Sequence, residues 1–308
     1  MAKARAIVKR RKAVRNIKKI TKTMQMIATA KFQKALKRAV GTKPYTLKVR
    51  ELVAELAATL GEQADHPLLR KSSGSGKIAL LVITSDRGLA GAYNGSVLRA
   101  ANHFIKEQES AGKKVELYVS GKKGVNYFNF QKRPITRRFD QFSDAPKFVE
   151  VDRVAEEFMQ QFIDGKVDEV CVAYMNFVST STQRADVMQL LPLISLENTG
   201  EHAGENRGKP AAKDQADKPK AETVYEFSPD PKTLLDELLP LTVKTALFQA
   251  FLDATTSENV ARMVAMKSAT DNADEMVKTL TMQYNRARQS QITTELAEIM
   301  GGVEAMKG

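Results

Sequence analysis

Residues 241–300 read LTVKTALFQA-FLDATTSENV-ARMVAMKSAT-DNADEMVKTL-TMQYNRARQS-QITTELAEIM, sixty positions without a glycine or a proline. Within this run Ala273, Val277, Leu280, Tyr284 and Ala287 recur at spacings of 4, 3, 4 and 3, the alternation of a heptad seam. The stripe then re-phases to Ile292, Leu296, Ile299 and Val303, a shift that resembles a coiled-coil stutter. As one helix the sixty residues would reach ~90 Å. A pattern this long and uncapped predicts a coiled coil rather than an ordinary globular helix. So narrow a stripe needs a mate.

The other end of the chain supplies one. From Lys3 to Val40 there is again no Gly or Pro, and apolar residues fall at Ile7, Val14, Ile17, Ile20, Met24 and Ile27. These 38 residues would span ~57 Å as a helix. Gly41 and Pro44 predict a kink or weak point, followed by a second helical stretch, Leu47 to Leu60, ending at Gly61. The economical arrangement is an antiparallel pair of terminal helices, projecting as a rod from whatever lies between.

What lies between has a different grammar. After Ser72-Ser-Gly-Ser-Gly76, the run Ile78-Ala-Leu-Leu-Val-Ile-Thr84 is continuously apolar, as in a parallel strand buried on both faces. Helices are expected at about 96–109, 122–130 and 151–163, and strands at 115–120, 135–139 (weaker), 169–177 and 186–191. Alternating strands and helices predict a Rossmann-like parallel α/β sheet over 77–196. Residues 197–223 contain no Val, Ile, Leu, Met, Phe or Tyr, and such a segment cannot offset its ordering entropy by burial. It reads as a mobile insert. The expected organisation is an N-terminal coiled-coil helix (1–61), the α/β domain (77–196), the insert (197–223) and a C-terminal coiled-coil helix (230–308).

Charge narrows the function. The chain of 308 residues carries a formal net charge of +12. Residues 1–50 hold 17 Lys or Arg and no acid, so the rest sums to 12 − 17 = −5. The basic N-terminal helix has three readings: phosphate contacts to nucleic acid, a targeting segment, or a face that is solvated or meets acidic protein partners. Few aromatics are interleaved, only Phe32 and Tyr45 in the first fifty, which weakens single-strand binding. The long C-terminal stripe needs this helix as its mate, which argues against its removal as a leader. No apolar stretch reaches the ~20 residues of a membrane span, and the N-terminus lacks an apolar signal core, which predicts no secretory signal.

Candidate chemistry is sparse. Gly74-Ser-Gly-Lys77 faintly resembles a phosphate loop, but it precedes the strand and Ile78 stands where Ser or Thr belongs. Thr84-Ser-Asp-Arg-Gly-Leu-Ala-Gly-Ala-Tyr-Asn94 sits at the carboxyl end of the first strand, where α/β proteins bind ligands. It reads as a tight turn, with Asp86 and Arg87 paired or capping, and ligand binding at Gly88–Gly91 as the other reading. Asp274 with Glu275, and Glu295 with Glu298, have no histidine near them and read as solvated or salt-bridged. Cys171, the single cysteine, lies in an apolar run and reads as a small buried hydrophobe. His66, His103 and His202 are scattered and predict no zinc site. The apolar end, Leu296 to Val303, suggests entry into a sleeve formed by other chains, with fraying and ordinary packing as the other reading.

Three stretches then carry a resemblance that spans nearly the full chain. Lys18-Lys-Ile-Thr-Lys-Thr-Met-Gln-Met-Ile-Ala-Thr-Ala-Lys31, the Thr84–Asn94 turn, and Ala261-Arg-Met-Val-Ala-Met-Lys-Ser-Ala-Thr-Asp-Asn-Ala273 with its continuation Tyr284–Ile299 resemble the gamma subunits of F-type ATP synthases. The resemblance implies a central rotating shaft that couples proton flow to ATP synthesis or hydrolysis by torque, with no catalytic site of its own. It implies alpha and beta subunits, an epsilon subunit and a membrane rotor ring as partners, with no nucleic acid. It also implies no cofactor or metal on this chain, Mg-ATP being held by alpha and beta, and a peripheral place on the cytoplasmic face of a bacterial inner membrane or its organellar equivalent.

By position, the resemblance places Lys22 and Met24 at the ring's lower collar and Arg262 against an acidic segment of beta. Arg288, Gln289, Thr293 and Glu295 would meet a beta loop, and Leu296, Ile299 and Val303 an apolar bearing. Tyr225, Phe227 and Ser228 would lie in the foot near the rotor ring, although Ser228 stands where the family often has an acid. The insert's position is similar to that of the redox-regulatory insert of chloroplast relatives. It lacks their cysteine pair and reads as an inert linker. The runner-up is a nucleic-acid-binding coiled-coil protein; a small-ligand-binding α/β domain is a third reading.

Overall fold

In the computed structural model the described residues are 2–60, 66–70, 74–142, 145–193 and 230–307. The strands are β1 (Lys77–Ile83), β2 (Lys114–Ser120), β3 (Arg137–Phe139), β4 (Glu169–Phe177) and β5 (Gln183–Leu191). The helices are α1 (Ala2–Leu60), α2 (Tyr93–Ser110), α3 (Lys122–Phe130), α4 (Phe148–Ile163) and α5 (Pro231–Lys307). The chain divides into two compact units, residues 32–260 and residues 1–31 with 261–308. Each long helix therefore contributes to both. The insert at 197–223 and the foot residues Tyr225, Phe227 and Ser228 lie outside the described residues.

The larger unit is built on the apolar run that opens β1. Residues Ile78 to Val82 are wholly shielded from solvent, as a central strand covered on both faces requires. The sheet order is β3-β2-β1-β4-β5. β2 and β4 flank β1 in parallel, and β3 continues in parallel beyond β2. The expectation of an all-parallel sheet needs one correction, because β5 runs antiparallel to β4. Only residues 178–182 join them, enough for a hairpin but not for a crossover, which takes about a dozen.

Strand alternation assigns the two faces. Ala79, Leu81 and Ile83 share a core with Val154, Phe158 and Phe162 of α4, Val49, Val53 and Leu56 of α1, and Leu239, Val243, Leu247 and Phe251 of α5. Phe158 is its centre, with Tyr118 edge-on at 5.0 Å. α2 and α3 pack against the sheet strands and against each other. Lys244 of α5 reaches both Asp152 and Glu156 of α4 at 2.7 Å, fixing the rotation of this part of α5 over the sheet.

The weak point expected at Gly41 and Pro44 does not end the helix, and a second proline, Pro240, also lies within one. α1 runs unbroken through Pro44 and α5 through Pro240. Pro44 is exposed, so water can satisfy the Val40 carbonyl that loses its donor. Around it Thr42 and Thr46 donate to the carbonyls of Arg38 and Thr42, at 2.8 and 3.2 Å. α5 also starts earlier than its Gly- and Pro-free run. Asp230 caps it, accepting from Thr233 N at 3.0 Å and Thr233 Oγ1 at 2.7 Å, with Pro231 in first helical position. These bonds hold the Asp230 carboxyl below the usual carboxylate range.

Cys171 lies in β4, 3% exposed. Burial pushes its thiol up to about 12, so almost no thiolate exists near neutral pH. We expect no modification by iodoacetamide in the native chain at pH 8 and complete modification in denaturant. Labelling of the native chain at the denatured rate, read by intact mass, would contradict this.

Candidate functional site

The smaller unit contains the pairing of the terminal helices. Contacts across it run in opposite order along the two chains. Arg11 stacks on the ring of Tyr284 at 5.0 Å, Lys18 Nζ meets Asp274 Oδ1 at 2.6 Å, and Thr270 Oγ1 donates to Thr21 Oγ1 at 2.8 Å. The pair is antiparallel, as the sequence predicts. Val14, Ala273 and Leu280 form its apolar centre, with Ile7 and Val277 alongside. The stripe read on α5 (273, 277, 280, 284, 287) is the inward one throughout.

The stripe read on α1 is only partly inward, and this is a correction. Ile7 and Val14 enter the seam, and Met24 is half-buried, but Ile17, Ile20 and Ile27 are 52%, 60% and 52% exposed. The seam is instead a strict heptad of positions 7, 11, 14, 18, 21, 25 and 28. Its residues are Ile, Arg, Val, Lys, Thr, Gln and Ala. Small Thr21 and Ala28 admit the facing helix closely, and the long basic chains lie along the groove with their charges at its edge. At 100° per residue, Ile17, Ile20, Met24 and Ile27 centre about a quarter turn away from Val14. The helix thus carries two stripes, one used within the chain and one facing outward.

Polar contacts fix the register of the seam. Thr270 donates to Thr21, and Thr21 passes its own hydroxyl hydrogen to Lys18 O at 3.1 Å. Both hydroxyls are buried. The Lys18 hydrogen bond and charge hold the Asp274 carboxyl below its usual range. Its contribution is therefore present above the unfolded carboxylate pKa and fades as pH falls through the lowered value.

Beyond Gln291 every described side chain of α5 is exposed, including Ile292 (47%), Leu296 (55%), Ile299 (63%), Met300 (72%) and Val303 (43%). Leu296, Ile299 and Val303, the residues expected in a bearing, are among them. Of the other expected contact residues, Lys22, Arg288, Gln289, Thr293 and Glu295 are exposed, and Met24 and Arg262 are half-buried. Gln291 Nε2 donates to Glu295 at 2.8 Å, Asp274 is salt-bridged to Lys18, and Glu275 and Glu298 are exposed.

The α/β domain offers little for chemistry. Gly76 N donates to the Asp168 carboxylate at 2.6 Å, so a fixed acid sits where a phosphate loop would need free donors. In the Thr84–Asn94 turn, Asp86 accepts from Lys122 N at 3.0 Å, at the first turn of α3, which is the capping expected of it. Asn94 accepts from Ser85 N at 3.0 Å. The cavity beside this turn, lined by Ser85, Asp86, Ser120, Phe142, Thr255 and Glu258 among others, measures ≈ 30 Å³, room for a water or two. Among the described residues no cluster of three or more His, Cys, Asp or Glu could hold a metal. Among them also, no helix is long and apolar enough to cross a membrane.

The functional feature that sequence reading missed is the outward position of Ile17, Ile20 and Ile27. Their signal was present as a 3, 4 and 3 spacing with Met24, and was taken for the seam.

A five-stranded α/β domain, together with terminal helices that pair antiparallel and keep apolar side chains outward, defines a class of protein that joins an α/β domain to a two-helix coiled coil. Comparison with known proteins makes this specific. The ATP synthase family model matches residues 3–306. The chain is 45% identical to the ATP synthase gamma chain of Rhodopirellula baltica, over the full length of both. It is 39% identical to that of Leptospira biflexa, over 99% of this chain and 100% of the other. The chain belongs to the ATP synthase gamma chain family. Its fold is similar to a chain in the Euglena gracilis mitochondrial ATP synthase OSCP/F1/c-ring structure, with a TM-score of 0.63 at 20% identity, covering 99% of this chain and 95% of that one. It is also similar to one in the rotor of the same enzyme, with a TM-score of 0.60 at 18% identity, covering 94% and 99%.

Proposed function

We propose that this chain is the central rotating shaft of an F-type ATP synthase, transmitting torque between a membrane rotor ring and the catalytic ring of alpha and beta subunits. The observation that supports it most is the full-length 45% identity to a gamma chain, joined to a helix pair that keeps an apolar stripe outward among the described residues. Alpha, beta and epsilon subunits and the rotor ring are its partners, and it holds no catalytic residue, metal or cofactor. Mg-ATP belongs to alpha and beta. The complex sits at a membrane that this chain does not itself cross, on the cytoplasmic face in a bacterium.

A mechanical role fits the electrostatics. Residues 1–50 are wholly basic in their charged groups, and long-range attraction to acidic segments persists as one surface turns past another, without fixing a single angle. Each exposed pair is worth only ~0–1 kcal/mol, so no single contact locks the shaft. Arg262, Arg288, Gln289, Thr293, Glu295 and the tail from Leu296 to Val303 are the residues we assign to the ring.

Affinity purification of the tagged chain from its own cells tests the reading. Recovery of alpha, beta and epsilon subunits with ATPase activity, and rotation of a probe attached to this chain on ATP addition, are expected. A chain that purifies alone, or that binds nucleic acid with steep salt dependence, would replace this reading with the nucleic-acid one.

A further inference from the structure

Three polar groups meet between the parts of α1 and α5 that pack in the larger unit. Gln249 Nε2 donates to Asp253 Oδ1 at 3.0 Å and, more weakly, to the Ala39 carbonyl of α1 at 3.5 Å. Both amide hydrogens are then used. The other end of the amide, Gln249 Oε1, is buried with no partner. Asp253 itself is mostly buried. The charged group that faces it from α1 is Lys43, whose attraction is smaller than the opposing cost of burial.

The donor and acceptor count of this cluster is one hydrogen short. An ionised Asp253 is acceptor-only, so the carboxylate bonded to the Gln249 amide nitrogen has no hydrogen to give the Gln249 carbonyl. A single proton on Asp253 completes the set. Its O–H then donates to Gln249 Oε1 while its other oxygen keeps the Gln249 N–H, a cyclic acid–amide pair. The second Gln249 N–H remains for Ala39 O. An unmade hydrogen bond in such a site costs more than a made one contributes, so the protonated arrangement is the tighter one. The carbonyl it holds, Ala39 O, lies just before Gly41 and Pro44, where α1 lacks a backbone hydrogen bond.

We propose that Asp253, Gln249 and the Ala39 carbonyl form a proton-operated clasp between α1 and α5, closed when Asp253 is protonated and loosened when it is ionised. Burial supports the operating range, pushing the Asp253 carboxyl up to about 6. The sign follows from linkage. A carboxyl raised in the folded state favours folding below its unfolded pKa, and that contribution is lost as pH rises through the folded value. The clasp closes in mild acid and opens above neutrality. The inference stands apart from the chain's place in a rotary complex.

The test compares the full-length wild-type chain with Asp253→Asn. An asparagine can donate to Gln249 Oε1 and accept from Gln249 Nε2, so it imitates the closed clasp at every pH. Relative to this variant, the folding constant of the wild type should fall about tenfold between pH 5 and 7.5, for a carboxyl raised to about 6. Amide hydrogen exchange over residues 41–46 should be slower in Asp253→Asn than in wild type at pH 7.5, and equal at pH 5. A protonated-carboxyl infrared band present in wild type at pH 5 and absent in the variant supplies a readout independent of stability. Equal exchange at both pH values, or a carboxyl band missing at pH 5, would overturn the proposal.

Discussion

Alanine at Gly121 is expected to unfold the α/β domain at a temperature roughly 10–15 °C below wild type, the equivalent of ~4 kcal/mol for a domain of this size. Gly121 follows β2 directly and holds φ +94 and ψ 135, a region that L side chains avoid. A Cβ there would stand 2.1 Å from the Thr84 carbonyl oxygen and 2.6 Å from its carbon. Both are backbone atoms, so no side chain can swing away. Relief must come from separating the end of β1 from the start of α3. That separation strains Thr84 N to Ser120 O (2.8 Å), Thr84 Oγ1 to Ser120 O (2.9 Å) and Gly124 N to Thr84 Oγ1 (2.9 Å). Each buried bond contributes about 1 kcal/mol, and a group left unsatisfied costs more. Left-handed strain adds roughly 1–3 kcal/mol.

Gly112 supplies the control for that experiment. It also has a positive φ, +79, but a Cβ would meet nothing within 4 Å. Gly112→Ala should therefore carry only the left-handed strain, ~1–2 kcal/mol. Thermal unfolding of both variants by circular dichroism separates the two contributions. A Gly121→Ala chain melting within a few degrees of Gly112→Ala would show that the close approach at Thr84 is not a structural necessity.

The difference between what could and could not be read in the sequence is sharpest on the two paired helices. On α5 the inward residues are Ala273, Val277, Leu280, Tyr284 and Ala287, and hydropathy finds them because the outward neighbours, Met276 and Met282 apart, are polar. On α1 the seam includes Arg11, Lys18, Thr21 and Gln25, whose inward use depends on particular answers from α5. Thr21 has Thr270 as its partner, Lys18 has Asp274, and Arg11 has the Tyr284 ring. No periodicity search supplies those answers. The isoleucines that look like a seam face outward. β5 illustrates the opposite case: the strands read at 169–177 and 186–191 leave only eight residues between them, already too few for a crossover, and the structure shortens the link to 178–182. Pro44 shows that a helix tolerates a proline where the freed carbonyl is open to solvent. Gly121 was also readable in principle, as a glycine placed between an apolar strand and a helix. The candidate interface was recognisable mainly through its motifs; its outward stripe required coordinates.

Glutamine at Ile17, Ile20 and Ile27 together is expected to leave this chain folded while weakening its entry into the alpha–beta ring about a hundredfold or more. All three side chains are more than half exposed in the free chain, so exchanging them removes little internal packing, and glutamine is a good helix former. Their value appears only when a partner covers them. Completing the burial of a half-exposed isoleucine is worth about 1 kcal/mol, so three give ~3 kcal/mol, and each 1.4 kcal/mol is tenfold in affinity. Val14→Gln is the opposite case. Val14 is 7% exposed in the seam, against Ala273 and Leu280, and a buried amide without partners should lower the melting of the helix pair in the isolated chain by roughly 1–3 kcal/mol. Two measurements on each variant decide the matter: thermal unfolding of the free chain, and reconstitution of ATPase activity against chain concentration. The triple variant should melt like wild type and reconstitute poorly, whereas Val14→Gln should melt early. If the triple variant instead reconstitutes at the wild-type midpoint, the outward isoleucines are a solvated face, and the docking role passes to the tail beyond Gln291 alone.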